Sequence, residues 1–256
     1  MRIIRFCYII DLNQKYEQYC DWRIKMPKGL QHKGIVRRNK MLYAAVQLFL
    51  ENGYEKTTTA SIAKAAGMAP SSFFAAFENK EALLLTLVKT MFSSQFENTG
   101  VILGENADPL LIYGVETSLQ MYIAEMSEPL RELYVVGYTL PTTSEYIYLS
   151  TAKKLQFIFA EYMGTAELKD YYEMDIASAG ITRGFMAKKC DMYFTMEDKL
   201  RRFLKCCFTL YKVPEGKQEK IIEQVLKLDL KSMAEKIIAD TVKKAEEGFE
   251  SVLNDI

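Results

Sequence analysis

The sequence predicts an all-α protein: an N-terminal three-helix head carrying a helix-turn-helix, followed by a larger helical body. Three observations predict it. Apolar residues recur at helical spacing from about Met41 to the C-terminus, with no strand-like alternation of useful length. The segment Thr58 to Phe77, TTASIAKAAGMAPSSFFAAF, holds two short helical patterns joined by a tight turn. The chain of 256 residues is long enough for two domains. The expected division is an extension over 1–33, expected to be mobile, a head over 34–94, and a body over 95–256.

In the head, Met41 to Phe49 reads as an alanine-rich helix, and Gly53-Tyr54 as the turn that ends it. Ala63 precedes Gly67 by four residues and Phe73 follows it by six, with Ile62, Ala66, Met68 and Ala76 supplying apolar positions. Two helices crossing steeply need a small contact residue, and the turn between them needs a backbone conformation that glycine adopts at little cost. The second helix is expected over Pro70 to Ala76, since proline suits a first helical position whose N–H would be unpaired anyway. Another helix opens near Asn79 and presents Leu83, Leu84, Leu87, Val88, Met91 and Phe92 on one face.

The run from about Arg37 to Leu87 closely resembles the N-terminal domain of the TetR family of transcriptional regulators. The residues that carry the likeness are the Gly53-Tyr54 turn, Thr57-Thr58, Ile62-Ala63, Ala66-Gly67, the aromatic-rich Phe73-Phe74, and Lys80-Glu81-Ala82-Leu83. The resemblance covers a fifth of the chain. It implies a recognition helix in a DNA major groove, with Ser71 and Ser72 as hydrogen-bonding candidates and Phe74 and Ala75 in apolar contact with thymine methyls. Pro70 opens that helix, Thr58 or Thr59 caps the preceding one and meets a phosphate, and Lys80 matches the family's backbone-contacting lysine. Some positions depart from the pattern. Ala69 stands where a capping serine is usual, Phe74 where a tyrosine is usual, and Ala60, Ala75 and Ala76 where polar or basic residues are common. Phe73 and Phe77 read as packing residues.

Charge supplies what that helix lacks. Acidic and basic residues balance over the whole chain, yet no acidic residue occurs from Trp22 to Leu50, where Arg37, Arg38 and five other cations fall. Phosphate neutralisation supplies most non-specific DNA affinity, and a basic arm reaches the backbone or a minor groove. Residues 1–25 resemble nothing familiar. They are expected to be either a stretch ahead of the natural start, with Met26 opening a basic leader, or a dispensable arm. The apolar run Phe6 to Ile10 is too short for a signal peptide, and no stretch approaches the length of a membrane-spanning helix.

In the body, helices are expected over 109–126, 129–139, 142–163, 166–189 and 196–211, with a tail over 217–253 broken near Asp229. Ala177, Gly180 and Gly184 permit close helix approach, with Ile181 and Phe185 beside them. Leu200, Leu204, Cys207 and Tyr211 form a second stripe. Both are expected at a homodimer seam, which the resemblance implies; the alternative is the body's own core. A two-fold dimer would set two heads one DNA turn apart on a palindromic operator. Tyrosines and methionines crowd the central helices, and Tyr113, Met121, Tyr122, Tyr134, Tyr138, Phe157 and Tyr162 are the candidates for lining a pocket. Such side chains suit an apolar or amphipathic small-molecule effector.

No catalytic residue set stands out. His32 is the only histidine and lies in the basic leader. Cys7, Cys20, Cys190, Cys206 and Cys207 lack metal-ligand spacing, and an odd count fits a reducing compartment. Neither an enzyme, a metal site nor a cofactor is expected. The function expected is a cytoplasmic, ligand-released, homodimeric repressor that binds double-stranded DNA. The alternative is a protein of the same shape that binds small molecules or partners and has weakened or lost DNA specificity.

Overall fold

The computed structural model describes residues 32–104 and 107–254. Among these residues the secondary structure is helical throughout, apart from one isolated bridge pairing Asp191 with Phe194. The head comprises α1 (His32–Asn52), α2 (Thr59–Ala65), a 3-10 turn (Pro70–Ser72) and the start of α3 (Lys80–Leu103). The body continues with α4 (Pro109–Met126), α5 (Glu128–Gly137), α6 (Pro141–Met163) and α7 (Leu168–Ala187). It closes with α8 (Met196–Leu210), α9 (Glu215–Leu226) and α10 (Leu230–Asn254).

Local chemistry sets these boundaries. Asn79 caps α3 by accepting from Ala82 N at 2.8 Å, and Asp108 caps α4 ahead of Pro109 at its first position. The Thr195 hydroxyl accepts from Asp198 N at 3.2 Å to open α8, and Asp198 returns the bond to Thr195 N. Each such cap contributes about 1 kcal/mol.

Two hydrophobic clusters result. Met41, Ala45, Phe49, Ile62, Ala63, Phe73, Leu83 and Leu84 fill the head. In the body, α4 is the central helix, flanked by α5, α9 and α10, and Phe159 stacks on Tyr211 at 4.1 Å between ring centroids. The α6 and α7 helices pack side by side along their length. Head and body are joined directly. Ile147 of α6 is buried in the head cluster, and Glu132 of α5 accepts from Glu55 N at 2.6 Å. Gly53 has φ of +82°, a conformation in which a side chain is strained, and a Cβ there would also push the Glu132 carboxylate away from the Glu55 N–H.

Candidate nucleic-acid interface and body cavity

Thr58 is the α2 cap: its hydroxyl accepts from Ser61 N at 3.0 Å, while Ser61 Oγ accepts from Thr58 N. Gly67 makes the turn at φ of +72°. The segment after it differs from expectation. A helix over Pro70 to Ala76 does not form; only Pro70–Ser72 is 3-10, and single turns carry the chain to Phe77. Ala69 provides no side-chain cap, and Phe73 N bonds to Pro70 O, the tighter i to i−3 pattern. With no capping side chain to start it and Phe73 drawn into the core, the segment is too short to propagate an α-helix. Ala69→Ser restores the cap and is expected to add about 1 kcal/mol of head stability. Thermal melting checks this, and an unchanged melt counts against it.

The turn still presents a coherent face. Pro70, Ser71, Phe74 and Ala75 are exposed, Phe74 by 64%, and Ser72 and Thr59 are half-buried beside them. Arg37 is half-buried on α1. Lys56 and Lys64 are exposed on the same head, cations not singled out from the sequence.

Two expected phosphate ligands have other duties. Arg38 points inward: Nη1 donates to Ala76 O at 2.8 Å, Nη2 to Thr86 Oγ1 at 3.1 Å, and the guanidinium lies 4.1 Å from the Phe77 ring centroid. Burial lowers its pKa. It ties the turn after Pro70 to α1 and α3. Lys80 Nζ donates to Tyr54 O at 2.7 Å and Thr57 O at 2.9 Å, above the Tyr54 ring. One of its three N–H donors is left to meet a phosphate. Lys80→Ala is therefore expected to cost about 1 kcal/mol of head stability by removing the side-chain donor of Thr57 O, while Tyr54 O keeps the N–H of Thr57, as well as weakening binding to all DNA sequences. A melt unchanged within 0.5 kcal/mol would return Lys80 to a purely external role.

In the body, α4, α6 and α7 enclose a cavity of about 50 Å³. Tyr113, Glu116, Thr117 and Gln120 line it from α4, and Ile147, Thr151, Lys154, Leu155 and Ile158 from α6. Asp175, Ser178, Ala179 and Thr182 line it from α7, with Tyr138 at one end. Of the seven expected pocket residues it contains Tyr113 and Tyr138. Met121 and Tyr134 are buried in the hydrophobic core, and Tyr122 and Tyr162 are half-buried against it. Phe157 is 52% exposed and outside the cavity. The reason is register: 113, 116, 117 and 120 form one helical stripe, and positions 121 and 122 fall off it.

The wall is polar. Tyr138 donates to Gln120 Oε1 at 2.8 Å, and Ser178 donates to Asp175 Oδ1 at 2.7 Å. Thr151 also donates to Asp175, and Ser178 Oγ lies 3.0 Å from Tyr211 Oη. Burial pushes the Asp175 carboxyl up to about 6 against the opposing hydrogen bonds from Thr151 and Ser178. Burial pushes Glu116 up to about 8, opposed by the charge of Lys154. The sequence signal was there: acids set inside apolar helical runs.

Of the expected seam, Ala177, Gly180 and Gly184 are exposed along α7, with Ile181 and Phe185 half-buried. With Lys188, Phe194 and Cys206 the latter four frame a shallow apolar depression of about 330 Å³. Leu200, Leu204, Cys207 and Tyr211 are not there. All four are buried in the core of the same chain. Periodicity identified an apolar stripe on α8, but α4, α7 and α9 already cover it.

Among the described residues, no group of three His, Cys, Asp or Glu could hold a metal, and no helix is long and apolar enough to cross a membrane.

The family model described as "Bacterial regulatory proteins, tetR family" matches residues 41–87. The HTH-type transcriptional regulator TcmR of Streptomyces glaucescens is 38% identical over 64 residues, 25% of this chain and 28% of TcmR. The fatty acid metabolism regulator protein of Bacillus subtilis (strain 168) is 37% identical over 65 residues, 25% of this chain and 29% of that protein. The chain thus aligns with less than a third of the length of either curated relative. Among solved structures, RolR in complex with resorcinol is similar at a TM-score of 0.58 and 16% identity, covering 77% of this chain and 96% of RolR. SmeT, the repressor of the Stenotrophomonas maltophilia multidrug efflux pump SmeDEF, is similar at 0.50 and 16%, covering 70% and 96%. These two likenesses are of fold.

Proposed function

We propose that this chain, whose residues 41–87 match the model of the TetR family of transcriptional regulators, is a cytoplasmic, homodimeric repressor released from DNA by a small molecule. The observation that carries the reading is the solvent-facing turn of Ser71, Phe74 and Ala75, fixed to a capped α2 inside the matched segment. Ser72, Thr59 and Arg37 flank that face. A second copy would pack on the α7 depression, giving two heads for a palindromic operator. The solved RolR complex holds resorcinol, which supports a body cavity as an effector site.

The connection between cavity and head is physical. Tyr138 and Gln120 hydrogen-bond at one end of the cavity, and Tyr138 ends α5, whose Glu132 holds the Gly53 to Glu55 turn of the head. Ile147 belongs to both the cavity wall and the head cluster. An occupant that widens the cavity displaces both. It shifts the population only as far as its affinities for the DNA-bound and released poses differ.

The test is an anisotropy titration against DNA upstream of the protein's own gene and against fragments selected from genomic DNA, with scrambled DNA beside them at two salt concentrations. Selective binding that persists at higher salt is expected. The short 3-10 turn, with two serine hydroxyls as its base-reading donors, favours a second reading: a small-molecule-binding protein with weakened DNA specificity. Ser72→Ala separates the two, since it weakens only the preferred site in a specific regulator and nothing in the alternative.

A further inference from the structure

We propose that the body cavity takes a small organic cation, an amine whose protonated nitrogen pairs with the carboxylate of Glu116. The inference rests on the reading of the body as an effector site and specifies the effector's chemistry.

Five of the wall's hydroxyl groups, those of Thr117, Tyr138, Thr151, Ser178 and Thr182, have their protons committed within the protein. Thr117 donates to Tyr113 O at 2.8 Å, and Thr182 to Ser178 O at 2.8 Å. The single Thr151 proton is shared between Ile147 O, at 2.7 Å, and Asp175, and Ser178 and Tyr138 donate to Asp175 and Gln120. A hydroxyl whose proton is committed has only lone pairs left to offer. These hydroxyl groups of the wall therefore offer an occupant lone pairs, beside the donors of Gln120 and Lys154.

Glu116 is the sharpest acceptor. Its side chain is 2% exposed, lines the cavity, and Oε1 accepts no hydrogen bond. A carboxylate left so in a dry interior costs several kcal/mol. Asp175, also buried, faces the same space from α7. Lys154 from α6 is the lining cation, and its charge does not overcome the burial of Glu116. Tyr113 and Tyr138 complete the titratable groups around it, and burial raises both, so they stay neutral.

A ligand bearing a hydroxyl in place of the ammonium gains one hydrogen bond from Glu116. An ammonium gains a charge-assisted bond in a low-dielectric site, roughly twice as strong. It also draws the Glu116 proton off, since that carboxyl is about half or more protonated near neutral pH in the free protein. The cavity of about 50 Å³ is well below the several hundred Å³ of most ligand pockets. The amine is thus small, or it widens the site on entry.

The experiment titrates the full chain by calorimetry with primary amines, each beside the alcohol of the same skeleton: benzylamine with benzyl alcohol, and tyramine with tyrosol. At pH 7 the amines are expected to bind at least tenfold more tightly than the alcohols and to release protons, read from enthalpies in two buffers. Glu116→Gln keeps the shape and removes the charge. It is expected to abolish the tenfold preference and the proton release and to leave the alcohols unchanged. Alcohols that match the amines, a preference that survives in Glu116→Gln, or no binding by any of the four overturns the proposal. DNA anisotropy on the same samples separates the two readings. Selective DNA binding without amine preference leaves the regulator standing and removes the cation, whereas absent DNA selectivity removes the regulator whatever the amines do.

Discussion

Phe73→Ala is expected to abolish DNA binding while leaving the body folded. Phe73 is fully buried, with the Phe77 ring 5.8 Å away and the Phe74 ring 5.6 Å away, centroid to centroid. Truncating a buried phenylalanine costs about 3–5 kcal/mol. A head of roughly 60 residues holds only about 3–9 kcal/mol of its own, so the loss is comparable with its whole stability. The same side chain anchors the Pro70–Ser72 turn under α2, since it lies in one buried cluster with Ile62 and Ala63. The body keeps its separate cluster around Phe159, Phe208 and Tyr211. Circular dichroism should therefore show an early partial melt followed by the main transition. Phe74→Ala is the control. At 64% exposure it should change stability by no more than about 0.5 kcal/mol and reduce affinity for DNA alone. A single unshifted melt for Phe73→Ala would mean that the turn is held by something other than this ring.

How far the molecule was legible in advance depends on whether the signal was local. The start of α4 at Pro109 follows from an aspartate and a proline side by side, its end from Ser127, which caps α5 by accepting from Leu130 N at 3.2 Å, and the break before α10 from Asp229, which accepts from Ser232 N at 3.2 Å. Such signals act over one turn and are written in the chain. The recognition segment misled because Pro70 announces a helix start, but the length of the helix is decided by where Phe73 must go. The structural roles of Arg38 and Lys80 were hidden for a related reason. Both donate to turn carbonyls, Arg38 to that of Ala76 and Lys80 to those of Tyr54 and Thr57, and no residue pattern says which carbonyls those are. On α8 the stripe of Leu200, Leu204 and Cys207 was plain, but a stripe does not name its partner. The cavity was half legible. Tyrosine and methionine content pointed to α4, α5 and α6, of which α4 and α6 line it together with α7, whereas the residues that define its chemistry, Glu116 and Asp175, are the ones a search for apolar lining passes over.

Lys199→Ala is expected to destabilise the body by about 3 kcal/mol and to disturb the face beside the α7 depression. Lys199 is fully buried, and its Nζ donates to Glu125 Oε2 at 2.8 Å and to Lys188 O. Glu125 in turn accepts from Cys190 N at 2.9 Å and from Arg131 at 3.3 Å. Together these bonds fix the connection between α7 and α8, which carries Met192 and Tyr193, exposed by 81% and 87%, and Phe194 at the depression. Removing one member of a buried ion pair costs about 3–5 kcal/mol because the other charge is left behind. Arg131 still partners Glu125, which places the cost at the lower end. For a chain of this size that lowers the melting temperature by about 6–12 °C. The pH dependence gives a second readout. Burial raises the Glu125 pKa, but the hydrogen bonds from Lys199 and Cys190 N and the charges of Lys199 and Arg131 outweigh it, so the net shift is below the usual 4.5. A depressed folded pKa contributes stability that is present above the unfolded value and is lost as pH falls through the folded one. The gap between wild type and Lys199→Ala should therefore be widest above pH 4.5 and narrow in acid. The double variant Lys199→Met, Glu125→Gln, which keeps volume and removes both charges, should recover part of the loss. A gap independent of pH, with no recovery in the double variant, would assign the effect to lost packing of the lysine stem instead of the ion pair.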